Sequence, residues 1–94
     1  MYMLQLFDRD DAVHPVDVRL MDNGSLTIGR DPASDWPIED PDCALSRTHC
    51  EIRANSEGLG ITVSGANGVR NAATGTDLPL GGLTELRLPA VLEM

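Results

Sequence analysis

"HCEIRANSEGLGITVS" (residues 49–64) reads as two extended segments joined by a turn. "HCEIRA" (49–54) alternates apolar and polar positions, the two-residue period of a strand with one face in a core. "NSEG" supplies turn residues, and "LGITVS" (59–64) resumes the extended pattern. On the N-terminal side, "SLTIG" (25–29) and "VDVRLM" (16–21) repeat this kind of run, and Asn23-Gly24 between them predicts a hairpin turn. "YMLQLF" (2–7) adds a strand before the acidic loop "DRDDAVHP" (8–15). "RDPASDWPIEDPDCAL" (30–45), with its three prolines, reads as loop with a short extended piece at Trp36 to Ile38. On the C-terminal side "GANG" (65–68) is a turn and "NAATGTDLP" (71–79) a loop. "TELRLPAVLEM" (84–94) is one or two strands, with an edge, bulge or break at Pro89, which cannot donate to a ladder. Short strands punctuated every eight to twelve residues by turn signals predict an all-β fold, a sandwich or a barrel.

The chain has 94 residues, enough for one domain, and 41% of them are hydrophobic. With one Trp, one Tyr and one Phe, aliphatic side chains must fill the core. A domain this small rarely encloses a deep catalytic pocket, so its function is expected on loops. Fifteen acidic residues against seven basic ones give a formal charge of −8. That field repels nucleic-acid phosphates and anionic lipid, so neither nucleic acid nor the membrane is an expected partner. No stretch approaches the length of a membrane span. All seven basic residues are arginine, a bias that codon usage in a GC-rich genome explains. Guanidinium forks nonetheless suit bidentate contacts to anions, and in this field any anion must be held by close local contacts. "MYMLQLFDRDD" carries no basic leader followed by an apolar run. With only Cys43 and Cys50, the reading is a cytoplasmic protein with reduced thiols.

"ALSRTHCEI" (44–52) concentrates the reactive residue types. Ser46 with His49 lacks the G-x-S-x-G elbow of a nucleophilic serine, so no catalytic residue is expected. A zinc site would need Cys43, His49, Cys50 and a remote ligand such as His14. The C-x5-H-C spacing fits no structural zinc pattern, and neighbours on a strand point to opposite faces. No metal or cofactor is therefore expected, and a cysteine here reads as a small buried hydrophobe. Phosphate binding has positive support. Ser46 offers a hydroxyl and an N–H on a loop just before a strand, Arg47 adds a guanidinium, and Gly29-Arg30 ends an earlier strand. Two loops at one end of a sandwich would present Arg30, Ser46 and Arg47 to a single anion, through charge-assisted hydrogen bonds.

"IGR" (28–30), "SRTH" (46–49) and "NG" (67–68), in that order, resemble the forkhead-associated (FHA) domain, a family of phosphothreonine-peptide readers. The resemblance runs from about Leu26 to Val69, and the spacings from Arg30 to Ser46 and from His49 to Asn67 agree with it. It implies a two-sheet antiparallel β-sandwich, a single domain over residues 1–94, with the binding loops at one end. Carried over residue by residue, it makes Arg30 the primary phosphate ligand and Ser46 a hydroxyl donor, with Arg47 as a further contact. Asn67 would bond the peptide backbone beside the phosphothreonine. Gly29 and Gly68 would be turn residues, and His49 a buried brace rather than a base. The longer phrase "IGRDPASDWPIEDPDCALSRTHCEI" is similar to FHA proteins of bacterial type VI secretion systems, where the domain opens a longer chain. That branch implies other secretion-system components as partners. Two positions depart from the family pattern. Ala66 stands where a hydroxyl residue often precedes N-G, and Asn71 has no glycine directly behind it. These departures favour an alternative, a phosphate-independent docking module on the same fold.

Overall fold

The computed structural model describes residues 1–8, 10–11, 13–39 and 45–94. Among them the chain forms ten strands and no helix. In order these are β1 (Tyr2–Leu6), β2 (Asp17–Met21), β3 (Gly24–Gly29), β4 (Trp36–Pro37) and β5 (Cys50–Asn55), then β6 (Gly58–Val63), β7 (Arg70–Asn71), β8 (Thr76–Asp77), β9 (Thr84–Leu86) and β10 (Leu92–Glu93).

The alternation in β5 and β6 becomes a hairpin in which Cys50 faces Val63, Ile52 faces Ile61 and Ala54 faces Leu59. All six side chains are buried. Partners directly opposite in a ladder share a face, so these pairs form the floor of the core. The Asn55 side chain closes the hairpin by accepting the N–H groups of Glu57 (2.8 Å) and Gly58 (3.1 Å), the local bond that suits Asn to turns. β3 adds Leu26 and Ile28 opposite Ile52 and Cys50, and β9 adds Leu86 opposite Leu59. The result is a five-stranded sheet in the order β4-β3-β5-β6-β9.

A second layer packs on it, made of the pair β1-β2 and the three-stranded sheet β10-β7-β8. Tyr2, Leu4, Leu6, Met21 and Leu92 reach from that layer to the core. Two polar contacts also join the layers. The Tyr2 hydroxyl donates to the Asn55 carbonyl (3.2 Å), and the Trp36 indole N–H donates to Asp17 (2.9 Å). Arg19 lies over the Trp36 ring at 5.4 Å, within the range of a cation–π contact. The all-β sandwich expected from the strand pattern is the fold observed.

Three details differ from the sequence reading. Asn23-Gly24 is not a hairpin turn, because β2 pairs with β1 while β3 pairs with β4 and β5. A turn dipeptide reverses the chain, but the core face of each flanking strand decides which sheet it joins. The segment 71–79, read as loop, contains the small hairpin β7–β8. Asn71 accepts the Ala73 and Gly75 N–H groups there, and Gly75 takes the positive φ of 71°. The pairing is also not wholly antiparallel, since β3 and β4 run parallel.

Candidate functional site

Beyond the end of β3, the chain stays paired with the segment that leads into β5. The Arg30 N–H donates to the Ser46 carbonyl (3.0 Å), the Asp31 N–H to the Arg47 carbonyl (3.1 Å) and the His49 N–H to the Ile28 carbonyl (2.8 Å). These bonds set residues 30–31 against 46–47. Gly29 makes the approach possible, because a Cβ at this position would fall on the Arg47 carbonyl oxygen.

A third loop, 64–69, is tied to the same place. The Ser64 and Gly65 N–H groups both donate to the His49 carbonyl (2.9 Å each), and the Ser64 hydroxyl donates to the Thr48 carbonyl (3.0 Å). The Ala66 N–H donates to the Ser46 hydroxyl oxygen (3.2 Å). Gly68 closes the turn by donating its N–H to the Gly65 carbonyl (3.0 Å), with φ at 69°.

His49 joins all three segments from below. Its side chain is 0% exposed. Nδ1 accepts the Ser46 N–H (3.1 Å), and Nε2 lies 2.7 Å from the Gly68 carbonyl oxygen. A carbonyl only accepts, so the imidazole proton sits on Nε2. The ring packs so tightly against Gly65 that a Cβ there would fall within it.

Above this anchored layer the charged side chains are presented. The Arg30 Nε donates to the Leu45 carbonyl (3.2 Å), which holds the stem, and the exposed residue lines a shallow depression with Pro32, Pro37, Ile38 and Glu39. Arg47 is exposed. Ion pairs of arginine among the described residues involve Arg19, Arg53 and Arg70, not Arg30 or Arg47. The Ser46 oxygen accepts from Ala66 and keeps its own O–H to donate. Asn67 sits exposed at the crest of the third loop, between Ala66 and Gly68. Arg30, Ser46, Arg47 and Asn67 thus occupy one end of the sandwich, with Gly29, His49 and Gly68 beneath or beside them.

The other chemistries weighed for this stretch meet physical obstacles. Both His49 nitrogens are engaged by main-chain groups, so neither can take a proton from the Ser46 hydroxyl. Among the described residues no group of three or more His, Cys, Asp or Glu is placed to hold a metal ion. Cys43 lies outside the described residues. His14 bonds Asp11 in the β1–β2 connection (3.1 Å), and that carboxyl is held below its usual range mainly by the Val13 and His14 N–H groups. Cys50 is 1% exposed, and burial pushes its thiol up to about 11. It is a core residue.

Sequence reading missed Gly65, which takes part in the site as directly as Gly29. "GANG" signalled only a turn, and nothing in it announced that an imidazole would lie against its first glycine. It also missed the reason for "DW". The Asp35 carboxylate accepts the Thr27 N–H (2.9 Å) and hydroxyl (3.2 Å), while Trp36 is buried. Both residues hold the fold.

Fold and tip together define an all-β module whose chemistry is carried on converging loops. The chain belongs to the FHA domain family, whose model matches residues 26–73, 48 of the 94. FHA domains are interaction modules. Among solved structures, the chain is similar to the FHA domain of CT664 from Chlamydia trachomatis, with a TM-score of 0.69 and 22% identity over 83% of this chain and 76% of that one. It is similar to a structure solved for the analysis of phosphothreonine-dependent FHA domain interactions, at TM-score 0.69 and 24% identity over 97% and 83% of the two chains. It also resembles the FhaA FHA domain complexed with the intracellular domain of Rv3910, at TM-score 0.68 and 23% identity over 97% and 88%. At these identities the likeness is one of fold. No curated protein sequence matches the chain significantly.

Proposed function

We propose that this domain binds phosphothreonine-containing segments of partner proteins, with Arg30, Ser46 and Arg47 on the phosphate and Asn67 on the peptide backbone. The observation that supports this reading is the main-chain pairing of residues 30–31 with 46–47, which sets the backbone of Arg30 beside that of Ser46 and Arg47. A phosphothreonine brings a charge of about −1.5 to −2 and three acceptor oxygens. The terminal nitrogens of Arg30, the Arg47 fork and the Ser46 O–H supply enough donors to meet them. The domain's net charge of −8 works against non-specific anion binding, so the phosphate is held by these short contacts.

The test is a phosphothreonine-oriented peptide library with an unphosphorylated control, read with wild type and Arg30→Ala. Binding that needs the phosphate and fails in the variant supports the reading. Equal binding of phosphorylated and unphosphorylated peptides supports the second reading, a phosphate-independent docking module. Ala66 favours that second reading, since it removes a side-chain hydroxyl from the crest. The main chain of Ala66 still holds Ser46, however, which keeps the first reading ahead.

The resemblance of residues 28–52 to FHA proteins of bacterial type VI secretion systems supports a setting in the regulation of such a system, although Asp35 and Trp36 themselves serve the fold. We place the domain accordingly in the cytoplasm, among other components of that apparatus. Co-purification of phosphorylated secretion components with wild type but not with Arg30→Ala is the outcome this setting requires.

A further inference from the structure

Glu93, Arg70 and Asp77 form a row across β10, β7 and β8. Glu93 is directly opposite Arg70, and Arg70 is directly opposite Asp77. Directly opposed residues project from the same face, and all three are exposed. Together with Asn67 and Met94 they line one polar depression, so the row opens onto the turn that carries Asn67. Arg70 Nε lies 3.8 Å from the Asp77 carboxylate. Two carboxylates stand against one guanidinium, and the row keeps a net charge of one minus.

We propose that this depression takes a lysine or arginine side chain of the bound phosphopeptide, so that the domain selects peptides carrying a basic residue on the side that runs over Asn67. The inference rests on the phosphopeptide reading above. An acidic side chain entering here would meet Glu93 and Asp77, with the only cation of the row already beside Asp77. A cationic one meets Glu93, which has no ion pair among the described residues, while Arg70 stays beside Asp77. Asn67 and Arg70 are three residues apart, at most about 10 Å of chain. An extended peptide advances about 3.3 Å per residue, so the row lies within about four residues of the phosphothreonine. Exposed ion pairs are weak, which sets the expected preference at about two- to five-fold for a single lysine.

The whole domain is acidic and attracts cations everywhere, so the test must be positional. A phosphothreonine peptide with alanine flanks is titrated, then the same peptide with one lysine moved through each position on either side. The proteins are wild type and the double variant Asp77→Asn, Glu93→Gln. The expected result is a two- to five-fold gain confined to one or two adjacent positions in wild type and absent in the double variant, with the all-alanine peptide unchanged between them. Arg70→Gln should enlarge the gain at those positions. A gain of equal size at every position, or one that survives in the double variant, overturns the proposal and leaves phosphopeptide binding standing. If no peptide of the series binds, the phosphopeptide reading fails and the proposal falls with it.

Discussion

His49 and Arg47 are two residues apart and have opposite surroundings. The imidazole is fully buried, both nitrogens are bonded to main chain, and Gly65 leaves it no spare space. The guanidinium is exposed and, among the described residues, has no side-chain partner. Arg30 stands between these extremes, exposed and with its Nε bonded to the Leu45 carbonyl but with no ion pair among the described residues. The lower half of the tip is therefore a stability feature and the upper half the proposed binding feature, although both are built from the same three loops. A side chain that spends its hydrogen bonds on the fold fixes position; one that holds them back can meet a ligand. The two halves should respond differently to substitution.

The largest effect belongs beneath the tip. Gly29→Ala sets a methyl on the Arg47 carbonyl and Gly65→Ala sets one in the His49 ring. Each should cost at least about 3 kcal/mol, the upper end of overpacking, measured by urea denaturation. Gly68→Ala meets no atom within 4 Å and suffers only its φ of 69°, so it should cost about 1–2 kcal/mol. If all three cost the same, close packing is not what holds the lower half.

His49→Ala comes next. It leaves the Ser46 N–H and the Gly68 carbonyl without the ring between them, and should cost about 2–3 kcal/mol. Thermal melting reads it as a fall of roughly 10 °C or more for a domain of this size. An unchanged midpoint would remove His49 from the structural role assigned to it.

Arg30→Ala should do the reverse, weakening phosphopeptide binding by about ten-fold or more while the midpoint barely moves, as expected for a charge-assisted bond worth about 1.5–3 kcal/mol. Arg47→Ala should weaken binding less, since among the described residues no hydrogen bond or ion pair orients that side chain. A large loss of stability in either variant would merge the two halves into one.

The smallest effect lies between the layers. The Val18 N–H, with smaller help from the Trp36 indole and Arg19, holds the Asp17 carboxyl below its usual value. A lowered value means the carboxylate's contribution is present above the ordinary carboxylate range and is lost only as pH falls through the lowered one. Trp36 emission should stay constant as pH falls through that ordinary range and change only below it. A change centred near neutral pH would point to a different group.

How much of the molecule is legible in its sequence depends on the kind of signal. The β5–β6 hairpin was legible because six residues alternate on each side of a turn, long enough for the period to show. β7 and β8 were not, because two-residue strands have no period. The Asn23-Gly24 turn was seen, but whether its strands pair depends on core faces distant in sequence. In the tip, Arg30, Ser46, His49 and Asn67 were visible as motif positions. Gly65 and the Leu45 carbonyl were not, since main-chain contacts leave little trace in side-chain identity. The row of Glu93, Arg70 and Asp77 comes from three segments and exists only once the sheet has formed.

The proposed anion seat lies where residues 30–31 meet 46–47. Its most direct test is a nitrogen-15 NMR titration of the wild-type domain with a phosphothreonine peptide and with its unphosphorylated twin. The phosphorylated peptide should shift the Arg30 and Arg47 side-chain Nε–H signals and the Ser46 and Asn67 amides, while the twin leaves them in place. Shifts that map instead to the exposed face of β1-β2, or that are equal for the two peptides, would contradict it.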